Sequence, residues 1–370
     1  MPEYLAPGVF VEEVSFRPQS IEGVSTSTTG FVGPTRFGPI YGEPPLLTNF
    51  RDFEAIYGGL DRLEFAGAEP SHNDLAHAVR AYFEEGGVRL YVARTYDLIA
   101  GFREPAFSGN GWSAAADGIA RWPESGGSPS PAFGFRARYP GAAANVAVSL
   151  VFRLGENILD TFDGAPRLRG AAAFDTVLAA APGATLQAYW LQRFFDETQQ
   201  RDTFRLCRGT ATPVSLRGVD DVRILTVSVL VAAMGRFGSE TGWENLTFDP
   251  RHGRSLSAVF APPPTRRSTE LNVPLVFGAV GTDGAAIADA LLQELSQSGG
   301  RIGDGLLPPG SPPVTPTAED RTFRFQLAHG DDGTRPDADD YEGDERNDGQ
   351  KSGLLAFEDL EDISIVAAPG

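Results

Sequence analysis

The sequence predicts an α/β core that is interrupted by an inserted β-rich domain and preceded by an extended N-terminal arm. Three observations carry that prediction. Strand-like and helix-like periodicities alternate over residues 24–100 and resume at Val273, the pattern of an α/β layer. Between these stretches, over roughly 131–250, most periodic segments read as short strands. Ahead of both, Pro2, Pro7 and Pro18 forbid a continuous helix over the first 22 residues.

The arm carries one strand-like run, Gly8 to Val14. Fully extended, 22 residues reach about 70 Å, more than the width of a domain. Such a segment can dock on its own sheet, fray, or add a strand to a neighbouring molecule. Thr26–Val32 is β-prone and ends at the breaker Gly33-Pro34. Asn49–Tyr57 reads as a short amphipathic helix closed by Gly58-Gly59. Ser71-His-Asn-Asp74 has a capping-box pattern ahead of Leu75, Val79 and Phe83, which share one helical face. Gly86-Gly87 ends that helix and Val88–Ala93 follows as a strand.

Residues 101 to about 131 are rich in Gly, Ser, Pro and Ala and read as a loop entering a different unit. Asn145–Phe152 and Val222–Val231 read as strands, while Phe174–Ala181 and Leu186–Phe195 fit helix or strand. Val273–Phe277 is a strand, followed by a glycine-rich turn and a helix with Ile287, Leu291 and Leu295 on one face. A Pro-rich surface segment covers about 300–317. An acidic stretch follows, and Ile363, Ile365 and Val366 read as a buried strand closed by Pro369-Gly370. The expected units are an arm at 1–22, a first part of the core at 23–100, the inserted domain at 101–254 and a second part of the core at 255–370.

At 370 residues the chain is long enough for two or three domains. Its 41% hydrophobic content supports real cores. The densest apolar run, Val227–Met234, is far short of the roughly 20 residues that span a bilayer, and Met1–Gly8 has neither the basic nor the apolar region of a secretory signal. The net charge is −18, a poor match to nucleic acid or anionic lipid, whose phosphates demand basic surface. Of 31 basic residues only Lys351 is lysine. Between Asp331 and Asp362 thirteen acidic residues face three basic ones.

Few constellations carry chemistry. Gly278–Gly284 lies between strand and helix, as phosphate-binding loops do, but its glycines are spaced GxxGxxG and Asp283 stands where phosphate would sit. The other reading is a tight turn with a carboxylate at a helix N-terminus. Asp331, Asp337, Asp339 and Asp340 are weak candidates for calcium, because their spacing does not match a calcium loop and clustered acids are usually solvated. His72 and His77 would stand about 140° apart on a helix, which does not suit a shared metal. No G-x-S-x-G elbow anchors a hydrolase triad. Cys207, the sole cysteine, has no visible activating partner.

In order along the chain, Met1–Val14, Ile21–Pro34, Phe50–Gly59, Ala78–Arg94, Tyr139-Pro-Gly141, Glu244–Arg251, Gly281–Gly284 and Gly353–Gly370 resemble blocks of the contractile tail sheath proteins of phage tails and related injection systems. The resemblance implies a structural protomer with a subtilisin-like core, no catalytic residue, no metal and no cofactor. It implies an inserted domain on the outer surface and an arm donated to a neighbour's sheet. Tyr4, Leu5, Val9, Phe10, Val11 and Val14 would be the contact residues of that arm, and Gly23 its hinge. The implied partners are further copies of the chain, an inner tube protein, and baseplate and cap proteins, within a virion tail or phage-like particle assembled in a prokaryotic cytoplasm. The family continues past its Ala-Pro-Gly block into a C-terminal domain that has no counterpart here. A hydrolase on the subtilisin-like core and a calcium-dependent adhesion module are the alternatives.

Overall fold

The computed structural model describes residues 28–97, 106–108, 111–113, 117–123, 132–197, 200–232, 240–262, 264–302 and 316–370. The arm residues Tyr4, Leu5, Val9, Phe10, Val11 and Val14 and the hinge Gly23 lie outside them. The described chain is a mixed α/β protein, mostly sheet with few helices.

Four strands form a first sheet in the order Ile365–Ala367, Thr28–Pro34, Arg89–Thr95, Leu46–Leu47. The first three run parallel, with Gly30 opposite both Tyr91 and Val366, and Leu46–Leu47 is antiparallel. Parallel neighbours need a crossover. Here it contains the helices Phe50–Tyr57 and Asp74–Glu84. Alternation along each strand sends Phe31, Leu90 and Val92 under these helices, against Phe53, Tyr57, Leu75 and Val79. Val32, Tyr91 and Ala93 point to the other face, which Ala356 and Phe357 cover. Gly30 lies beneath Phe357, where an added Cβ would meet the ring at 3.1 Å.

The helix boundaries follow from capping. Asn49 accepts from Asp52 N, and Gly58 closes the first helix with φ 88°. The second helix is capped by Asn73, which accepts from Ala76 N. The expected box at Ser71 is not formed, because Ser71 exchanges backbone hydrogen bonds with Leu63. The strand Thr28–Pro34 runs through the expected breaker, since Pro34 stands at its end opposite Thr95.

The second sheet has eight antiparallel strands. Seven follow the order Val214–Ser215, Arg201–Cys207, Gln187–Asp196, Thr176–Ala180, Asp221–Ala232, Ala147–Asn157, Thr322–Gln326. The eighth, Glu240–Leu246, shares one side of Asp221–Ala232 with Thr176–Ala180. The two segments that fit helix or strand are therefore strands. A smaller sheet of Leu275–Ala279, Phe133–Ala137 and Arg121–Trp122 and the helix Gly284–Gln297 complete the largest core. There Phe135, Phe152, Val227, Phe260, Phe277, Ile287, Leu291, Leu295 and Phe325 are buried together.

This core crosses the expected boundary at 254/255. Strand Leu275–Ala279 and helix Gly284–Gln297 pack on β-rich residues rather than on the parallel sheet, and Thr322–Gln326 pairs with Ala147–Val151. A strand–turn–helix pattern fixes local structure without specifying which sheet receives it. The chain rejoins the first sheet through 341–367. Ile365 and Val366, expected to be buried, are 52% and 50% exposed because their strand is at the sheet's edge.

Candidate functional site

Two buried charged residues, Arg94 and Asp332, bind distant parts of the chain together. Arg94, next to last in the strand Arg89–Thr95, is 1% exposed. Its Nη1 donates to the carbonyls of Gly38 at 2.9 Å and Pro140 at 2.8 Å, tying the first sheet to the entrance of the β-rich part. Burial pulls this guanidinium down to about 10, still well above neutrality. Asp332 is buried beside it. Its Oδ2 accepts from Glu64 N at 2.9 Å and its Oδ1 from Ala142 N at 2.7 Å, with Arg36 Nε 3.9 Å away. Desolvation raises its pKa, and the two backbone donors pull the other way.

Three of the four calcium candidates, Asp331, Asp337 and Asp340, serve as hydrogen-bond acceptors within the fold. Asp337 and Asp340 form a reciprocal capping box on the helix Ala338–Glu342, Asp339 lies in its first turn, and Asp331 accepts from Gly333 N and from Tyr96. Among the described residues no three ligating groups converge on a metal position.

The glycine-rich turn is closed to phosphate. Asp283 caps the helix Gly284–Gln297 by accepting from Ala286 N, and also accepts from Gly209 N. Asp249 takes the next free donor, Gly284 N, at 3.0 Å. Two carboxylates thus occupy the positive end of the helix.

No triad of His252 with a serine is formed among the described residues. His252 faces Asp175 across 3.7 Å with Nε2, but its Nδ1 accepts from Arg254 N at 3.1 Å, so backbone holds the atom that a nucleophile's proton would need. The rings of His72 and His77 lie 4.6 Å apart, contrary to the helical spacing argument, because His72 precedes the cap Asn73 and is not in the helix. Cys207 is buried against Gln192, and burial pushes its thiol up.

Sequence reasoning missed Arg94 and Asp332. Their only sequence signal is a charged residue at the end of a buried strand and another beside a turn glycine, which does not distinguish them from solvated charges. No model of a known protein family matches the chain, and no curated protein is significantly similar to it.

Proposed function

We propose that the chain is a structural protomer of a contractile sheath, built on the subtilisin-like core of that class. The observation that carries this reading is that the segments resembling sheath blocks meet in space although they are far apart in sequence. Ile21–Pro34, Ala78–Arg94 and Gly353–Gly370 supply the three parallel strands, and Phe50–Gly59 supplies a helix packed on them. Pro140, of the Tyr139–Gly141 block, accepts from Arg94. Glu244–Arg251 and Gly281–Gly284 meet through Asp249 and Gly284. Five of the blocks thus meet around the parallel sheet, and two more meet at the start of the helix Gly284–Gln297.

A sheath works by repacking many identical bodies between two arrangements, with the energy spread over interfaces and no reacting group. Further copies of the chain, an inner tube protein, and baseplate and cap proteins are its partners in this reading, within a virion tail or an extracellular phage-like particle. Residues 1–22 add a strand to a neighbour, pivoting at Gly23. Negative-stain microscopy of the full-length product tests the proposal. Striated tubes are expected from the intact protein, and folded monomers without ordered tubes from a variant lacking residues 1–22. Tubes from the truncated variant would refute the role of the arm, and an intact protein that never assembles, even with its tube partner, would refute the sheath.

A further inference from the structure

His72 and His77 stand ring against ring at the start of the helix Asp74–Glu84. A buried amide fixes the backbone that carries them. Asn73 is 1% exposed. Its Oδ1 accepts from Ala76 N, and its Nδ2 donates to the carbonyls of Gly59 and Asp61 at 3.2 and 3.3 Å. Ser71 is bridged to Leu63 on one side, and His77 N donates to Asn73 O at 3.2 Å on the other. Both rings themselves are exposed.

The spacing of the rings suits a chelate. Their centres lie 4.6 Å apart and their planes are inclined by 50°. An ion held at about 2.1 Å by one nitrogen of each ring puts the ring centres about 4.6 Å apart for a right angle at the metal and about 5.3 Å for a tetrahedral one. The backbone therefore has no distance to make up. Rotation about the outer side-chain torsion, which is broad for histidine, aims the nitrogens. Among the described residues neither imidazole is engaged in a hydrogen bond, so each keeps a nitrogen for a ligand. Asp74 Oδ1 lies 3.8 Å from His72 Nδ1. A carboxylate in that place orients a ligating imidazole and leaves Nε2 for the ion.

The donors also select the ion. Imidazole suits zinc, nickel and copper, whereas calcium and magnesium take oxygen ligands. No third ligating group converges among the described residues, so water completes the coordination. We propose that His72 and His77 form an exposed chelate for a divalent late-transition ion, with Asp74 as its positioning carboxylate. This inference is independent of the sheath reading.

Calorimetry of the full chain with zinc chloride at about pH 8 tests it. Zinc is expected to bind one to one with a dissociation constant below about 100 μM. His72→Gln and His77→Gln are each expected to weaken it at least tenfold, with thermal melting verifying that the exposed substitutions leave the chain folded. With copper(II) as the probe, electron paramagnetic resonance should report two nitrogen donors in the native chain and one in either variant, whereas carboxylates elsewhere on this acidic surface supply none. No heat with zinc up to about 1 mM, unchanged affinity in both folded variants, or a copper spectrum without nitrogen donors would overturn the proposal.

Discussion

Gly284 N donates to Asp249 Oδ2 at 3.0 Å, joining the first residue of a helix to a carboxylate 35 positions earlier. Asp249 is fully buried and also receives Arg251 Nε and Nη2 at 2.8 and 2.7 Å. Arg251 in turn lies over the Trp190 ring at 4.0 Å. One carboxylate thus anchors the helix Gly284–Gln297 and orients an arginine on the large sheet.

The residue at 284 has to be glycine for contact reasons. A Cβ there would meet Thr176 Oγ1 at 2.5 Å and Asp249 N at 3.0 Å. Alanine gains up to about 1 kcal/mol of helix propensity, but overpacking against backbone costs about 1–3 kcal/mol. Gly284→Ala is therefore expected to destabilise the protein, read as a lower urea midpoint. A raised midpoint would mean that the helix start can move aside and the Asp249 contact is dispensable.

Arg94 sets up a second test. Replacing it with methionine keeps much of the volume and leaves the carbonyls of Gly38 and Pro140 without their shared donor. Buried groups left unpaired cost about 1–3 kcal/mol each, so Arg94→Met is expected to lose about 2–4 kcal/mol. Hydrogen exchange should show the added opening at the amides of Gly38 and Gly141 more than at the far edge of the large sheet. Uniform loss of protection would count against a local tie.

The local elements were more legible than their assembly. Asn49 and Gly58 bracket a helix in the sequence and do so in the structure, because caps act over three or four residues. Asn145–Phe152, by its period-two alternation, and Val222–Val231 read as strands and lie largely within the strands Ala147–Asn157 and Asp221–Ala232. The partner sheet of the helix Gly284–Gln297 was not legible, because Ile287, Leu291 and Leu295 form an apolar stripe that suits either sheet. The exposure of Ile365 and Val366 was hidden for a related reason: composition reports an apolar strand, whereas topology decides that it is an edge. Of the candidate site residues, Asp283 was readable as a cap, whereas the buried roles of Arg94 and Asp332 depend on carbonyls and N–H groups supplied by remote loops.

The acidic chain should be more stable somewhat below neutral pH. Desolvation is the leading cause that holds Asp117, Asp175, Asp289, Glu294, Asp332 and Asp340 above the ordinary carboxylate range. A carboxyl raised on folding binds its proton more tightly in the folded chain. Its contribution to stability is full below the unfolded pKa and is lost as pH rises through the folded one. Asp160 and Glu319, lowered by hydrogen bonds from Arg167 and Arg324, and Asp320, lowered by Thr317 N, act in the opposite sense at more acid pH. Melting is thus expected at a higher temperature at about pH 5 than at about pH 7.5, helped by relief of the −18 net charge. A lower melting temperature at the acid point would contradict this balance.

The last test concerns the edge strand Ile365–Ala367. It pairs in parallel with Thr28–Pro34, and no described strand pairs with its other side. Apolar edges of this kind template pairing with another chain, and lysine on the edge suppresses it. Ile365 and Val366 are half exposed, so replacing both with lysine removes little buried contact and is expected to shift folding stability by no more than about 1 kcal/mol. Sedimentation velocity at rising protein concentration should show self-association of the native chain that the double variant loses. If both proteins sediment alike at every concentration, the edge is not where copies of the chain meet. If instead the double variant unfolds at a much lower urea concentration, the two side chains contribute to the folded chain far more than their exposure implies.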